Sequence, residues 1–162
     1  MLKLSHSNMT FFSGTIWFAI GFFLLQLGLR LIFDSTGTPE GSTPLLNSFN
    51  SVLAAQEAAI VITGVALYLG FLKAKHILSK SANRSVAHIQ TLPNPGEVRF
   101  MYSRNYYFLL GGMVLLGMSF KYLGLPNDVR GFIDILIGSA LINGAIHYYR
   151  IALDLRKQES IA

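Results

Sequence analysis

The feature that most constrains this chain is the stretch from Phe11 to Leu29, which contains no charged residue. As a helix rising 1.5 Å per residue it covers about 28 Å, close to the roughly 30 Å hydrocarbon thickness of a bilayer. Three further apolar runs follow, and only 13% of the residues are charged. A soluble domain carries about 25%. Grouped apolar runs with so little charge between them point to an integral membrane protein rather than a water-soluble core. The chain has no cysteine, so disulfides, thiolate metal sites and cysteine nucleophiles are excluded.

Read in order, the chain divides into four spans. Met1 to Thr10 carries one Lys and no Arg, and no Ala-x-Ala site follows the first apolar run, so that run is expected to be a retained span at 11–33 rather than a signal peptide. Asp34 to Asn50, with its Ser, Thr, Gly and Pro, is a loop. Span two is expected at 52–72, span three at 105–124 and span four at 130–150. Between spans two and three, Lys73 to Arg104 holds six basic residues (Lys73, Lys75, Lys80, Arg84, Arg99, Arg104) against Glu97 alone. Leu78, Ala82, Val86 and Ile89 keep a helical period there. Span two therefore continues as an amphipathic helix to about residue 91, where Pro93 and Pro95 break it. This arm reads either as a lipid- or partner-binding element or as a solvated loop that sets topology. Phe100, Tyr102, Tyr106, Tyr107 and Phe108 form an interfacial aromatic belt before span three.

Glycine spacing supplies the packing expectation. Gly14, Gly21 and Gly28 recur every seven residues, as do Gly131, Gly138, Ala145 and Ala152. Such a face lets another helix approach closely, although glycine is also simply common in membrane helices. Gly64-Val-Ala-Leu-Tyr-Leu-Gly70 in span two matches Gly138-Ser-Ala-Leu-Ile-Asn-Gly144 in span four. Ser13, Trp17, Phe18, Gly21 and Leu25 likewise match Ser103, Tyr107, Phe108, Gly111 and Leu115 without a gap. The expected fold is an all-α integral membrane four-helix bundle, one domain over 1–162, built from two repeated transmembrane hairpins in parallel orientation.

Charge sets the orientation. With both termini and the 73–104 segment on one side, that side carries ten basic and three acidic residues, or +7. The other side carries Arg30, Lys121 and Arg130 against five acids, or −2, and the two sum to the chain's +5. The positive-inside rule then places both termini in the cytoplasm, in a cell (inner or plasma) membrane. Basic residues at helix ends fit acidic headgroups better than nucleic acid, so the bilayer is the expected partner.

Two polar sets are candidate sites. Glu57 and Lys73 bracket fifteen uncharged residues, as do Asp134 and Arg150 if His147 is neutral. Fifteen residues reach about 22 Å, so Glu57 and Asp134 lie near the outer hydrocarbon boundary. Arg30 and Lys121 sit at a similar depth, giving the candidate pairs Arg30–Glu57 and Lys121–Asp134, with Arg130 competing for Asp134 at i,i+4. At mid-depth lie Gln26, Thr63, Ser139 and Asn143, which either line a path or bond one helix to another. His6, His76, His88 and His147 show no metal spacing, and no catalytic, cofactor-binding or nucleotide-binding motif occurs.

The segment Leu72-Lys-Ala-Lys-His-Ile-Leu-Ser-Lys-Ser-Ala-Asn-Arg84, with Leu92-Pro93 and a second hairpin beyond it, resembles uncharacterised small four-span bacterial membrane proteins. The resemblance implies a bacterial cytoplasmic membrane and carries over no catalytic residue. The expected role is a non-enzymatic structural or accessory bundle, as a homo-oligomer or part of a larger membrane complex. The alternative is a small transporter or channel subunit lined by the mid-membrane polar groups.

Overall fold

The computed structural model describes residues 3–38, 42–49, 51–93, 96–97, 112, 119 and 122–161. The expected third span falls outside them except at Gly112, Ser119 and Tyr122–Gly124, and so do Lys121, the aromatic belt and the second copy of the Ser13–Leu25 pattern. The regular structure of the described residues is helical apart from one antiparallel pairing of two residues each, Lys3–Leu4 (β1) with Gly96–Glu97 (β2).

Helix α1 runs His6–Ser35, longer than the apolar run at both ends. Its start is set by Ser5, whose hydroxyl accepts from the Asn8 amide at 3.4 Å, the usual service of a serine at this position. Pro44–Asn47 (α2) is one short turn inside the segment expected to be loop; proline at its first position suits a helix start. Helix α3, Ala55–Lys73, passes through a π-helical turn, Ala74–Leu78, into α4, Ser79–Gln90. The last helix, α5, spans Asn127–Glu159. It follows a turn in which Gly124 has φ +63°, a left-handed conformation that glycine adopts without penalty.

The expected amphipathic continuation of span two is present, and the π-turn accounts for its phase. Ile62, Ala66, Gly70, Ala74, Leu78, Ala82 and Val86 all face inward, Leu78 half-buried and the others buried. A strict step of four overshoots the 3.6-residue turn by about 40° each time, so a pure α-helix would carry the apolar row off the bundle. The wider i→i+5 turn takes up that drift and returns Ala82, Val86 and Ile89 to the core.

Contacts fix the directions. Gly14 lies against Tyr148 and Tyr149, Gly21 against Gly138 and Leu141, and Gly28 against Gly131 and Ile135, so α1 is antiparallel to α5. Gly70 lies against Leu136 and Ser139, Leu78 against Gly144, and Asn83 against His147, so α3 and α4 run parallel to α5. Apolar clusters fill the space between them, a small one being Met9 of α1 on Ile89 of α4, with two larger ones. One holds Trp17, Ala82, Val86, Leu141, Ala145, Tyr148 and Leu155; the other holds Ile32, Leu46, Ala58, Ala59, Ile62, Ala66 and Ile135.

The outward faces are apolar too. Phe11, Phe12, Phe18, Phe22, Phe23 and Phe33 of α1, and Ile60, Val65, Tyr68 and Phe71 of α3, are exposed. A face of this extent would be a liability in water and suits hydrocarbon. Among the described residues three helices, His6–Ser35, Ala55–His76 and Asn127–Glu159, are long and apolar enough to cross a membrane.

Candidate functional site

The α1–α5 seam is where the seven-residue glycine spacing acts. A Cβ at Gly21 would sit 2.8 Å from the Gly138 carbonyl oxygen, and one at Gly138 would sit 2.7 Å from the Gly21 oxygen. The same reciprocity holds one repeat away, with Gly28 2.7 Å from the Gly131 oxygen and Gly131 2.8 Å from the Gly28 oxygen. Two glycine pairs thus bring backbone onto backbone, which no side chain would permit. Gly14 is closed by Tyr148 Cβ at 3.0 Å, while the Tyr149 ring tilts against Phe11 with centroids 4.9 Å apart.

The Gly64–Gly70 pattern behaves differently from its match. Gly70 makes a tight crossing, its added Cβ 2.5 Å from the Leu136 oxygen and 2.8 Å from Ser139 Cβ. Gly64 is exposed, with nothing within 4 Å of an added Cβ, whereas its sequence equivalent Gly138 is in backbone contact. Gly144 faces the Leu78 side chain at 3.2 Å. Gly64 therefore lines no seam among the described residues. The pattern matches in sequence but not in environment, because the two helices present it to different neighbours.

Of the polar candidates one bonds across a helix crossing, and the others stay within their helix, turn outward or are shielded. Ser139 Oγ donates to the Leu67 carbonyl across the α3–α5 crossing at 3.1 Å, and Asn143 Nδ2 donates to the Ser139 carbonyl at 2.9 Å. Gln26 is exposed. Thr63 Oγ1 is shielded and finds no hydrogen-bond partner among the described residues.

Of the charge pairs, Arg30–Glu57 is not formed. Arg30 is exposed, and Glu57 accepts instead from the Ala54 amide at 3.2 Å, capping its own helix. A carboxylate three residues past a helix start finds free N–H groups closer than a guanidinium on a neighbouring helix. Asp134 is buried and meets Arg130, with Nε 3.9 Å from Oδ2 on the same helix. Its proposed partner Lys121 lies outside the described residues.

Sequence reasoning passed over two carboxylates. Asp128 is fully buried: Oδ2 accepts from the Leu45 and Leu46 amides at 2.7 and 3.2 Å, and Oδ1 from Val129 at 2.8 Å. One carboxylate thus caps both α2 and α5 and ties the 42–49 segment to the helix start. An aspartate directly after Pro126-Asn127 is a helix-start signal in the sequence, but its reach to Leu45 is not.

At the opposite end, Glu159 accepts from Ser7 Oγ at 2.7 Å and Ser7 N at 3.2 Å. Burial alone would raise this carboxyl, but bonds from the Ser7 side chain and backbone and from Ser5, with the charge of His6, outweigh it and hold it below its ordinary value. The carboxylate also sits at the positive N-terminal end of α1.

His6 Nε2 bonds the Leu92 carbonyl at 2.9 Å and His147 Nε2 bonds Asn83 Oδ1 at 3.0 Å, so two of the four histidines hold segments together. Among the described residues no group of three or more His, Asp or Glu gathers to hold a metal ion.

These elements define the class among the described residues: a predominantly helical membrane-type protein, three of its helices fit to cross a membrane, held by close glycine contacts and capping carboxylates. Comparison with protein-family models, curated proteins and solved structures finds no match.

Proposed function

We propose that the protein is a four-span bundle of a bacterial cytoplasmic membrane, with both termini cytoplasmic, that works through packing rather than chemistry as an accessory or self-associating element. The observation that carries this reading is the use of its mid-membrane groups. The glycines admit neighbouring backbones and Ser139 bonds the Leu67 carbonyl of α3, so these small residues join helices, while Asn143 spends its amide on a carbonyl of its own helix. The transport alternative draws less support, since Gln26 turns outward and the inner cluster is filled by Trp17, Leu141 and Tyr148.

Helix direction supports four crossings. The start of α1 and the end of α5 meet through Ser7 and Glu159, so a membrane crossed by both helices has them on one side. That requires an even number of crossings. Three helices qualify among the described residues, and α3 and α5 run the same way, so the chain must recross between them. The sequence offers 105–124 for that step. The basic residues of α4 and of the last turns of α5 support a cytoplasmic assignment for that side.

Because the chain lacks cysteine, single cysteines report topology cleanly. Cysteines at Ser5, Asn94 and Ser160 should react with a membrane-impermeant thiol reagent only after permeabilisation, and those at Ser42 and Asn127 in intact cells. Labelling of positions 94 and 127 from the same side would refute four crossings. Cross-linking in native membranes that returned only monomer would count against self-association and a stable partner.

A further inference from the structure

The two outward faces of the bundle disagree about where the membrane ends. On α1 exposed phenylalanines continue to Phe11, beyond Gly14, which is level with Tyr148. On the α3–α4 side, Leu78 is level with Gly144, four residues or about 6 Å deeper than Tyr148, and Lys75 lies three residues further in. Lys75 is thus roughly 10 Å deeper than Gly14, at a level where α1 still offers phenylalanine to its surroundings. Lys73, Lys75, His76, Lys80 and Arg84 are all exposed. Charged groups at such depth need an anionic partner or a locally thinned bilayer, and a lysine stem reaches only part of the way.

The same face supplies an apolar approach. Ile60, Gly64, Tyr68, Phe71 and Lys75 follow at steps of four, four, three and four, so they lie along one side of the helix. All five are exposed, and among the described residues Gly64 leaves an open notch between Ile60 and Tyr68. Apolar groups toward the membrane centre, ending in a basic cluster toward its edge, are complementary to one kind of molecule. We propose that this face holds an anionic phospholipid, its phosphate on Lys75 and the flanking basic residues of the π-turn and α4, its acyl chains along Ile60, Gly64, Tyr68 and Phe71. The headgroup is drawn below the bulk headgroup plane, so the bilayer is thinner beside α3 than beside α1. The π-turn contributes by keeping α4 packed on the bundle while Lys75 and His76 stay outside.

The proposal rests on the membrane reading, and its test separates the two. The full chain is reconstituted into vesicles of phosphatidylcholine with a minority of phosphatidylglycerol, recovered by flotation, extracted gently, and its retained lipids counted by native mass spectrometry. Phosphatidylglycerol should be retained in preference. Lys75→Gln with Lys80→Gln should lower that preference by about fivefold for each lysine, while Arg156→Gln with Lys157→Gln, on the exposed end of α5, should not. Equal loss in both variants would mean diffuse attraction and overturn the site. No preference in the unaltered chain would overturn it too, and cross-linking through a cysteine at Gly64 would then assign the face to a second copy. A chain that fails to float with the vesicles would refute the membrane reading and the lipid site with it.

Discussion

Helix α1 meets α5 over at least the distance from Gly14 to Gly28, with two reciprocal glycine pairs on the way; α3 meets α5 most tightly at one place, Gly70 on Leu136 and Ser139. The first seam is distributed, so neither helix can move without separating backbone from backbone elsewhere. The second is a pivot, where a helix can tilt or slide a little and keep its remaining contacts. Small residues at regular spacing therefore do two jobs here. A heptad run fixes an orientation along a length, whereas an isolated glycine sets only a crossing point.

The largest effect is expected where the distributed seam is blocked. In Gly138→Ala the new Cβ would stand 2.6 Å from the Leu25 nitrogen and 2.7 Å from the Gly21 oxygen, against backbone on a helix held at several other points. A loss of about 3 kcal/mol, the upper part of the overpacking range, is expected in reversible unfolding from mixed micelles. A loss below that of Gly70→Ala would reverse the comparison.

A third attachment to α5 should rank next. Asp128→Ala strands the Leu45 and Leu46 amides, and Leu46 is buried, so about 2 kcal/mol is expected. Hydrogen exchange should quicken first at those two amides. Exchange unchanged at Leu45 and Leu46 would show that the carboxylate does not hold α2.

The pivot should be more forgiving. Gly70→Ala places a Cβ 2.5 Å from the Leu136 oxygen, but α3 can tilt about that single crossing, so about 1–2 kcal/mol is expected. Gly64→Ala, whose added Cβ meets nothing within 4 Å among the described residues, should cost nothing and add up to about 1 kcal/mol through helix propensity. Destabilisation at Gly64 would place a neighbour on that face.

The smallest effect belongs to the clasp between the helix ends. The Glu159 carboxyl titrates below its ordinary value of 4.5 in the folded chain, so its bond to Ser7 contributes fully above that value and is lost as pH falls through the lowered one. Exchange at the first amides of α1 should rise on acidification, and Glu159→Gln should flatten that dependence. An unchanged pH profile in the variant would remove the clasp from the account.

Much of the helical content was legible because membrane length and a scarcity of charge leave few alternatives to a helix. The amphipathic arm was legible for a related reason: Leu78, Ala82, Val86 and Ile89 carry a period that needs no partner to be recognised. The candidate sites were legible only in part. That Asp134 and Arg130 can pair follows from their spacing, but Glu57 turning back to the Ala54 amide is a local choice between competing partners. Asp128 reaching Leu45, and Ser7 reaching Glu159 from the far end of the chain, have no trace in periodicity.

The sequence by itself determined that, among the described residues, α1, α3 with α4, and α5 are helical and that three apolar helices could enter a membrane, since both follow from hydrogen bonding and apolar transfer within one segment, whereas the turn of α2 did not show in it. It also determined that Gly14, Gly21 and Gly28 share a face, and that Gly131 and Gly138 share another. Which faces meet was decided only by the tertiary structure, because a helix surface without a side chain accepts any close neighbour. The matching patterns at Gly64 and Gly138 show the difference. One glycine is pressed against a backbone and the other is open, and the helices placed around them decide which.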